Sequence, residues 1–350
     1  MSGAHRGFGE RDEPGRPSSC SGARVADVAV PPTAGAGRLA RARGAATVLV
    51  VLAVLVVGVV VVVDRREEML AAVRAIGVLP ALLCILLTVA GVLSTGECWR
   101  VWLGSLSTPP PWHVAHRLFY LTQAGKYVPG AVWNYAAQVA LAHRYGLTRA
   151  AVLTTSTLFL LTHLGTGVVV GVLGIGSLTT LTPRQGVLYV IGAAAIVCLL
   201  PPVLGRVLRL LGRIRPWLAV STPTWTTTGR AVLLMTVAWS CYGGSLWVLA
   251  ARLGGGAGDV RLLVGTYAIA WVAGFAAVAA PVGIGAREAV VALLLSPLLG
   301  TAGALSVAVV SRLALTVADL GLAAVSASVI RERGGAPGRP GTGPAPPPVA

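Results

Sequence analysis

The sequence predicts an all-α protein, a polytopic membrane helical bundle of about eight transmembrane helices plus a re-entrant broken helix. Hydrophobic residues make up 55% of the chain, charged residues 11%, and the mean hydropathy is +0.78, far from an ordinary soluble domain. Apolar runs recur along the 350 residues and are long enough to cross a hydrocarbon core, which needs roughly 20 helical residues. Short arginine-bearing loops separate these runs, as expected of membrane topology signals.

The two ends of the chain differ from this membrane domain. Residues 1–37 are rich in Gly, Pro, Ser and Arg without apolar periodicity, which predicts a disordered cytoplasmic tail. The first apolar run follows an arginine cluster at 38–43 and is not a cleavable signal. The membrane domain is expected to cover residues 38–331, and the Pro/Gly-rich segment 332–350 is predicted to be a disordered tail.

Eight apolar runs are candidate spans, at about 45–63, 78–99, 150–174, 187–204, 230–251, 262–280, 286–299 and 302–330. Segment 117–142 is interrupted by glycine and proline. If it crossed the membrane, the four arginines within 206–215 would lie outside, against the positive-inside rule. If it enters and leaves on one side, they face the cytoplasm together with Arg144 and Arg149. Charge therefore favours a re-entrant segment in a multi-pass plasma-membrane protein with cytoplasmic N- and C-termini.

The formal net charge of +16 would indicate nucleic-acid binding in a soluble protein. Here the arginines lie in loops that set topology, so no nucleic-acid partner is predicted. The loop 204–218 carries Arg206, Arg209 and Arg213 at helical spacing. It is either a positive-inside loop or a basic amphipathic helix on the headgroup surface, and the two are compatible. The five cysteines show no paired spacing, so neither a disulfide framework nor a metal site is expected.

The first candidate site is the break "GKYVPG", with Gly125, Lys126, Tyr127, Pro129 and Gly130. The two glycines and the proline break the helix, and Pro129 is well placed to begin a new one. A helix N-terminus with free N–H groups would then point into the bundle. Lys126, the single lysine among 28 basic residues, lies beside it, and together they would suit an anion such as a lipid phosphate.

The second candidate site, "APVGIGAREA", has the same character, with Pro281, Gly283, Gly285, Arg287 and Glu288 at the start of an apolar helix. Two Gly/Pro-interrupted apolar segments, one in each half and each with a cation, are typical of a transporter binding site. The pair also suggests an inverted repeat. The alternative is that Pro and Gly only mark loop ends between spans.

Other ionisable residues lie within apolar spans, where a charge is energetically costly and therefore indicates a structural or functional role. Arg312 and Asp319 are seven residues apart, hence on one helix face, and are expected to meet Glu288 and Arg287 in the core. They would act either as structural clasps or in gating or coupling. Glu97 has an arginine three residues later, so a local helix pair explains it as well as a functional role does.

The motifs "GKYVPGAVW", "AHRYGLTRAAVLTTS" and "PVGIGAREAVVALLL" resemble the flippase-like membrane domain of the lysylphosphatidylglycerol synthase family, over roughly residues 45–330. The resemblance implies re-entrant helices at a central cavity, with the residues of the two breaks around it. In members of known activity, this domain moves a modified anionic lipid between leaflets and is joined to a cytosolic aminoacyl-transfer domain. The present chain has no room for that soluble domain, so a stand-alone member is expected.

The function predicted is a lipid flippase or transporter that moves a phospholipid or other anionic lipid between leaflets, with its phosphate held by Lys126 and Arg287. The partners are membrane lipids: an anionic or aminoacylated phospholipid, or a polyprenyl-linked lipid. No Walker A motif, catalytic motif or cofactor site is recognised. One alternative is a polyprenyl-phosphate-dependent membrane glycosyltransferase that uses the acidic segment 64–68. Another is a non-transporting membrane partner of a separately encoded synthase.

Overall fold

A computed structural model of the chain describes residues 60, 63–108, 110–127, 133–175, 183–214, 221–277, 283 and 285–334. This part of the chain forms ten α-helices and no strand, which confirms the all-α membrane class. In chain order the helices are α1 (Arg66–Ile76), α2 (Val78–Leu106), α3 (Trp112–Gln123), α4 (Trp133–Ala142), α5 (Arg149–Ile175), α6 (Pro183–Leu199), α7 (Pro201–Ile214), α8 (Trp225–Ala250), α9 (Val260–Ala276) and α10 (Ala286–Gly334).

Within the described residues, five helical segments are long and apolar enough to cross a membrane: α2, α5, α8, α9 with its preceding turn, and α10 up to Ser328. A sixth is obtained if the bent pair of α6 and α7 counts as one span. The predicted total of about eight spans is therefore not confirmed. The predicted first span, apart from Val60 and Val63, and the predicted tails, apart from residues 332–334, lie outside the described residues.

Helices α2 and α8 form a central antiparallel pair. Gly91 lets the Tyr242 ring approach so closely that a Cβ at this position would lie 2.5 Å from it. The Ser94 hydroxyl donates to the Leu234 carbonyl at 2.7 Å. Such small-residue contacts and interhelical hydrogen bonds hold membrane helices together, because burial of apolar surface against lipid contributes little there.

Helix α9 packs against α5 through backbone contact. A Cβ on Gly174 would lie 2.5 Å from the Gly265 Cα, and one on Gly171 would meet the Ile269 side chain. The order of these contacts shows that α9 runs antiparallel to α5. Gly167 continues the same contact face, since a Cβ on it would lie 3.3 Å from the Val272 side chain of α9.

The direction of the helices follows from these contacts. Helix α9 is also antiparallel to α8, since Gly243 lies against Val264 while Trp239 lies beside Trp271. Therefore α2 and α5 run in opposite directions, and the end of α2 lies beside the start of α5. Helices α3 and α4 connect them. With 12 and 10 residues, they rise about 18 and 15 Å, well short of the roughly 30 Å hydrocarbon core.

The predicted span 187–204 is wrong at its C-terminal end. Helix α6 stops at Leu199, and Pro201 begins α7 after a bend of 65°. Proline is favoured in the first turn of a helix because it lacks the N–H that would find no partner there. The Gly205 backbone lies near Thr222, and the Ser221 hydroxyl donates to the Ser105 carbonyl. Helix α7 therefore lies at the end of the bundle where α2 finishes.

We call this end the arginine-rich end. It is formed by the C-terminus of α2, the N-termini of α5 and α8, and α7. Its arginines are Arg100, Arg144, Arg149, Arg206, Arg209, Arg213 and Arg230.

Helix α10 is interrupted at Gly300, whose φ of 70° and ψ of 163° are not helical. The break divides it into two arms, residues 286–299 and 301–334, close to the two spans predicted from the sequence. The Ser306 hydroxyl, early in the second arm, approaches the Met69 carbonyl of α1 at 3.4 Å. The second arm therefore begins at the opposite end of the bundle from α7.

Candidate functional site

The first predicted break brings Lys126 to the second arm of α10. Helix α3 ends at Gln123 and continues as a 3-10 turn, Ala124–Tyr127, which includes Gly125. The Lys126 Nζ lies 2.7 Å from Oδ2 of Asp319. The predicted break residues Pro129 and Gly130, and the side chain of Tyr127, lie outside the described residues.

In the Lys126–Asp319 ion pair, the carboxylate is almost completely shielded from solvent, whereas the lysine is partly exposed. The Asp319 side chain is 2% exposed, and that of Lys126 is 24% exposed. The structure pairs Asp319 with Lys126, a partner that the sequence prediction did not name, and Asp319 also interacts electrostatically with Arg287, as expected from the sequence. The lysine charge is thus shared with a protein carboxylate, which the predicted role as a simple phosphate ligand did not include.

The second predicted break is a glycine turn at the start of α10. Gly283 and Gly285 have φ values of 68° and 87°, in the region that favours glycine. A Cβ on Gly283 would lie 2.5 Å from the Gly274 Cα of α9. The Glu288 carboxylate accepts a hydrogen bond from the Gly285 N–H at 2.7 Å, and so caps the helix start. Pro281 lies outside the described residues.

Arg287 extends from this turn over the face of Trp271, with its guanidinium carbon 5.6 Å from the ring centroid. Gly274 provides the space for its aliphatic part, because a Cβ there would lie 2.5 Å from Arg287 Cγ. The Arg287 Nε is buried and makes no hydrogen bond within the described residues, and no ion pair of Arg287 occurs among them.

The two arms of α10 are joined by a second ion pair, between Arg312 Nε and Glu288 Oε1 at 3.6 Å. This is the contact expected from the sequence. The Glu288 carboxylate therefore makes two interactions: it accepts the capping hydrogen bond from Gly285, and it pairs with Arg312 on the other arm.

These side chains surround a pocket between α9 and the two arms of α10. It contains about 340 Å³ of space unoccupied by protein atoms, including its open side. Its lining residues are Tyr267, Ala270, Trp271, Arg287, Glu288, Val291, Ala308, Ser311, Arg312 and Leu315. With Lys126 and Asp319 nearby, the region holds three basic and two acidic side chains, so positive charge is in excess. Apolar walls with a few converging charges are typical of a ligand site.

Two aromatic residues behind Arg287, Trp271 and Phe275, were missed by the sequence prediction. His163 of α5 stacks on Trp271 with ring centroids 3.8 Å apart, and Trp271 stacks on Phe275. The His163 Nε2 is buried without a hydrogen-bond partner in the described part of the chain. Trp271 and Phe275 are one helical turn apart just before the second break, a spacing that would have indicated an aromatic wall.

Glu97 lies outside this pocket, in a cluster near the end of α2. Its carboxylate pairs with Arg100 on the same helix, as the local interpretation predicted, and Oε2 also lies 3.0 Å from His116 Nε2 of α3. The cluster joins α2 to α3 and accounts for the charge of Glu97.

The acidic segment after the first predicted span is likewise engaged locally. Glu68 pairs with Arg65 at 3.2 Å and Glu67 with Arg66 at 3.9 Å. In the described residues, no group of three or more His, Cys, Asp or Glu side chains is placed to hold a metal ion.

Comparison with known proteins adds a family assignment. The family model described as the lysylphosphatidylglycerol synthase TM region matches residues 45–322, which include both breaks and Asp319. A search of curated proteins gave no match.

Proposed function

Because the chain belongs to the lysylphosphatidylglycerol synthase TM-region family, we propose that it moves an anionic phospholipid between the leaflets of the cell membrane. The headgroup would enter the pocket beside Arg287 while the acyl chains remain in the bilayer. The observation that carries the proposal is the state of Arg287: its buried Nε has no hydrogen-bond partner, and the guanidinium makes no ion pair, among the described residues.

A charged group in this condition is costly unless something compensates it. Trp271 supplies part of the compensation through its ring face. A phosphate would supply the rest, since guanidinium and phosphate form strong charge-assisted hydrogen bonds. Arg312 lies in the same pocket and would share the anion with Arg287.

The two ion pairs are proposed to couple binding to movement. A phosphate near Arg312 competes with Glu288, and one near Lys126 competes with Asp319, so the ligand would loosen the contacts between the first break and α10. In this scheme Lys126 contacts the ligand only after leaving Asp319.

We further propose that α3 and α4 form a re-entrant hairpin and that the arginine-rich end faces the cytoplasm. Both helices are too short to cross, and the antiparallel course of α2 and α5 means that the chain returns to the end it left. The concentration of arginine at this end agrees with the positive-inside rule.

The test is lipid movement in vesicles that contain the purified protein and fluorescently labelled phosphatidylglycerol. Dithionite quenches label in the outer leaflet, so extra quenching reports movement between leaflets. Arg287→Gln is expected to slow movement roughly tenfold or more, since a charge-assisted hydrogen bond contributes about 1.5–3 kcal/mol. Arg74→Gln is the matched control, because Arg74 is exposed on α1.

Equal movement in wild type and Arg287→Gln would exclude the proposed phosphate contact. If folded wild-type protein moves neither labelled phosphatidylglycerol nor labelled phosphatidylcholine, the flippase proposal fails. A role as partner of a separately encoded synthase would then be favoured. The glycosyltransferase alternative is less favoured, because Glu67 and Glu68 of the acidic segment form ion pairs with Arg66 and Arg65.

A further inference from the structure

Helix α7 has three distinct sides, and in the part of the chain that the structure describes only one of them is buried against the bundle. Leu204 and Leu208 are buried against the bundle. At about 100° per residue, a second sector contains Val207, Leu210, Leu211 and Ile214, which are 40–64% exposed. The third sector, about 60° wide, carries Arg206, Arg209 and Arg213, all of them exposed.

The arginines of α7 have no acidic neighbours in sequence. From residue 98 to residue 258 the chain contains neither aspartate nor glutamate. Among the described residues, none of the three arginines makes an ion pair. Their counter-charge must therefore come from outside the described protein.

The orientation of α7 suits a membrane surface. The 65° bend turns it away from the direction of α6, and it lies at the arginine-rich end, near Ser105 and Thr222. A helix lying in the interface places its apolar side in the acyl region and its basic side among the headgroups. Here the buried side would face the bundle, the exposed apolar side the bilayer, and the arginines the phosphates.

We propose that α7 is a binding site for the phosphates of anionic phospholipids in the leaflet at the arginine-rich end. The site lies outside the Arg287 pocket and does not depend on the proposed transport function. Each basic residue near an anionic surface contributes about 1 kcal/mol, so three arginines together favour the bound position by roughly 100-fold. Anionic lipid would thus be concentrated beside the bundle.

The test measures the environment of α7 with nitroxide labels in nanodiscs of phosphatidylcholine, alone or mixed with phosphatidylglycerol. Single cysteines replace Leu210, Ile214 or Arg209 in a background with Cys20, Cys198 and Cys241 substituted. Cys84 and Cys98 are fully buried and are retained. Collision with oxygen reports acyl chains, and collision with a water-soluble nickel chelate reports water.

The expected result is a high oxygen-to-nickel ratio at Leu210→Cys and Ile214→Cys and a low ratio at Arg209→Cys. Phosphatidylglycerol should raise the ratio at Leu210→Cys. The triple substitution Arg206→Gln, Arg209→Gln and Arg213→Gln should abolish this increase. The control Arg65→Gln, Arg66→Gln and Arg74→Gln removes equal charge from α1 and the residue before it, and should preserve the increase.

Two results would overturn the proposal. An oxygen-to-nickel ratio that does not respond to phosphatidylglycerol would show that the arginines do not bind anionic lipid. Low collision rates with both reagents at Leu210→Cys and Ile214→Cys would show that protein, such as a second copy of the chain, covers the apolar side. Lipid movement by Arg287→Gln has no bearing on either result.

Discussion

Replacing Asp319 with asparagine is expected to destabilise the protein more than replacing both Asp319 and Lys126. At the observed separation of 2.7 Å and an effective dielectric constant of about 20, the two charges attract by roughly 6 kcal/mol. Withdrawing each charge from water costs several kcal/mol. The pair therefore contributes little net stability, although each charge depends on the other.

Removing one partner leaves the other charge buried without a compensating charge. Loss of one charge from a buried pair typically costs about 3–5 kcal/mol. The lower end applies here, because the Lys126 side chain is 24% exposed and water compensates part of its charge. We expect about 3 kcal/mol for Asp319→Asn. The double variant Lys126→Met/Asp319→Asn should return to within about 1 kcal/mol of wild type, since it leaves no isolated charge.

The assay is unfolding by SDS in mixed micelles, followed by the near-ultraviolet circular dichroism of the buried tryptophans, among them Trp99 and Trp239. Glu68→Gln is the control, because it breaks the exposed Arg65–Glu68 pair and should change the free energy of unfolding by less than about 1 kcal/mol. The reasoning is refuted if Asp319→Asn behaves like this control, or if the double variant is no more stable than Asp319→Asn.

Three further substitutions test the packing and the pocket. Gly174→Ala should lower the free energy of unfolding by about 1–3 kcal/mol, because its Cβ would meet the Gly265 backbone; Gly229→Ala, in open space on a helix, should be neutral or stabilising in the same SDS titration. Gly300→Ala should cost about 1–3 kcal/mol, since the φ and ψ of this residue are essentially restricted to glycine. Arg287→Lys should slow the movement of labelled phosphatidylglycerol, because a lysine cannot reproduce the guanidinium contacts; unchanged movement would contradict this.

Local signals predicted the helix breaks, whereas the partners across the bundle required the structure. Glycine at 283 and 285 and the cap at Glu288 depend on neighbouring residues, so their pattern is visible in the sequence. The contact between Lys126 and Asp319 joins residues 193 positions apart and depends on how α3 docks against α10. Charge alone did not distinguish this arrangement from a pairing of Asp319 with Arg287.

The course of α6 and α7 illustrates the same difference. Apolar composition continues through residues 187–204, so hydropathy predicted one continuous span where the structure has the end of α6 and the start of α7. The helix nevertheless ends at Leu199, because consecutive prolines at 201 and 202 favour a helix start. The amphipathic pattern of α7 was recognised, but which of its sides the bundle covers depends on contacts near Thr222.

The solitary lysine of the chain has a chemical consequence. An amine-reactive acylating reagent has one side-chain target, Lys126, whose amine can attack the reagent only when it is unprotonated and accessible. While Asp319 holds the ammonium, acylation should be slow; whenever the first break moves away from α10, it should accelerate. The rate of acylation at Lys126 would therefore report how often the first break separates from α10, in protein of natural sequence and without an engineered label.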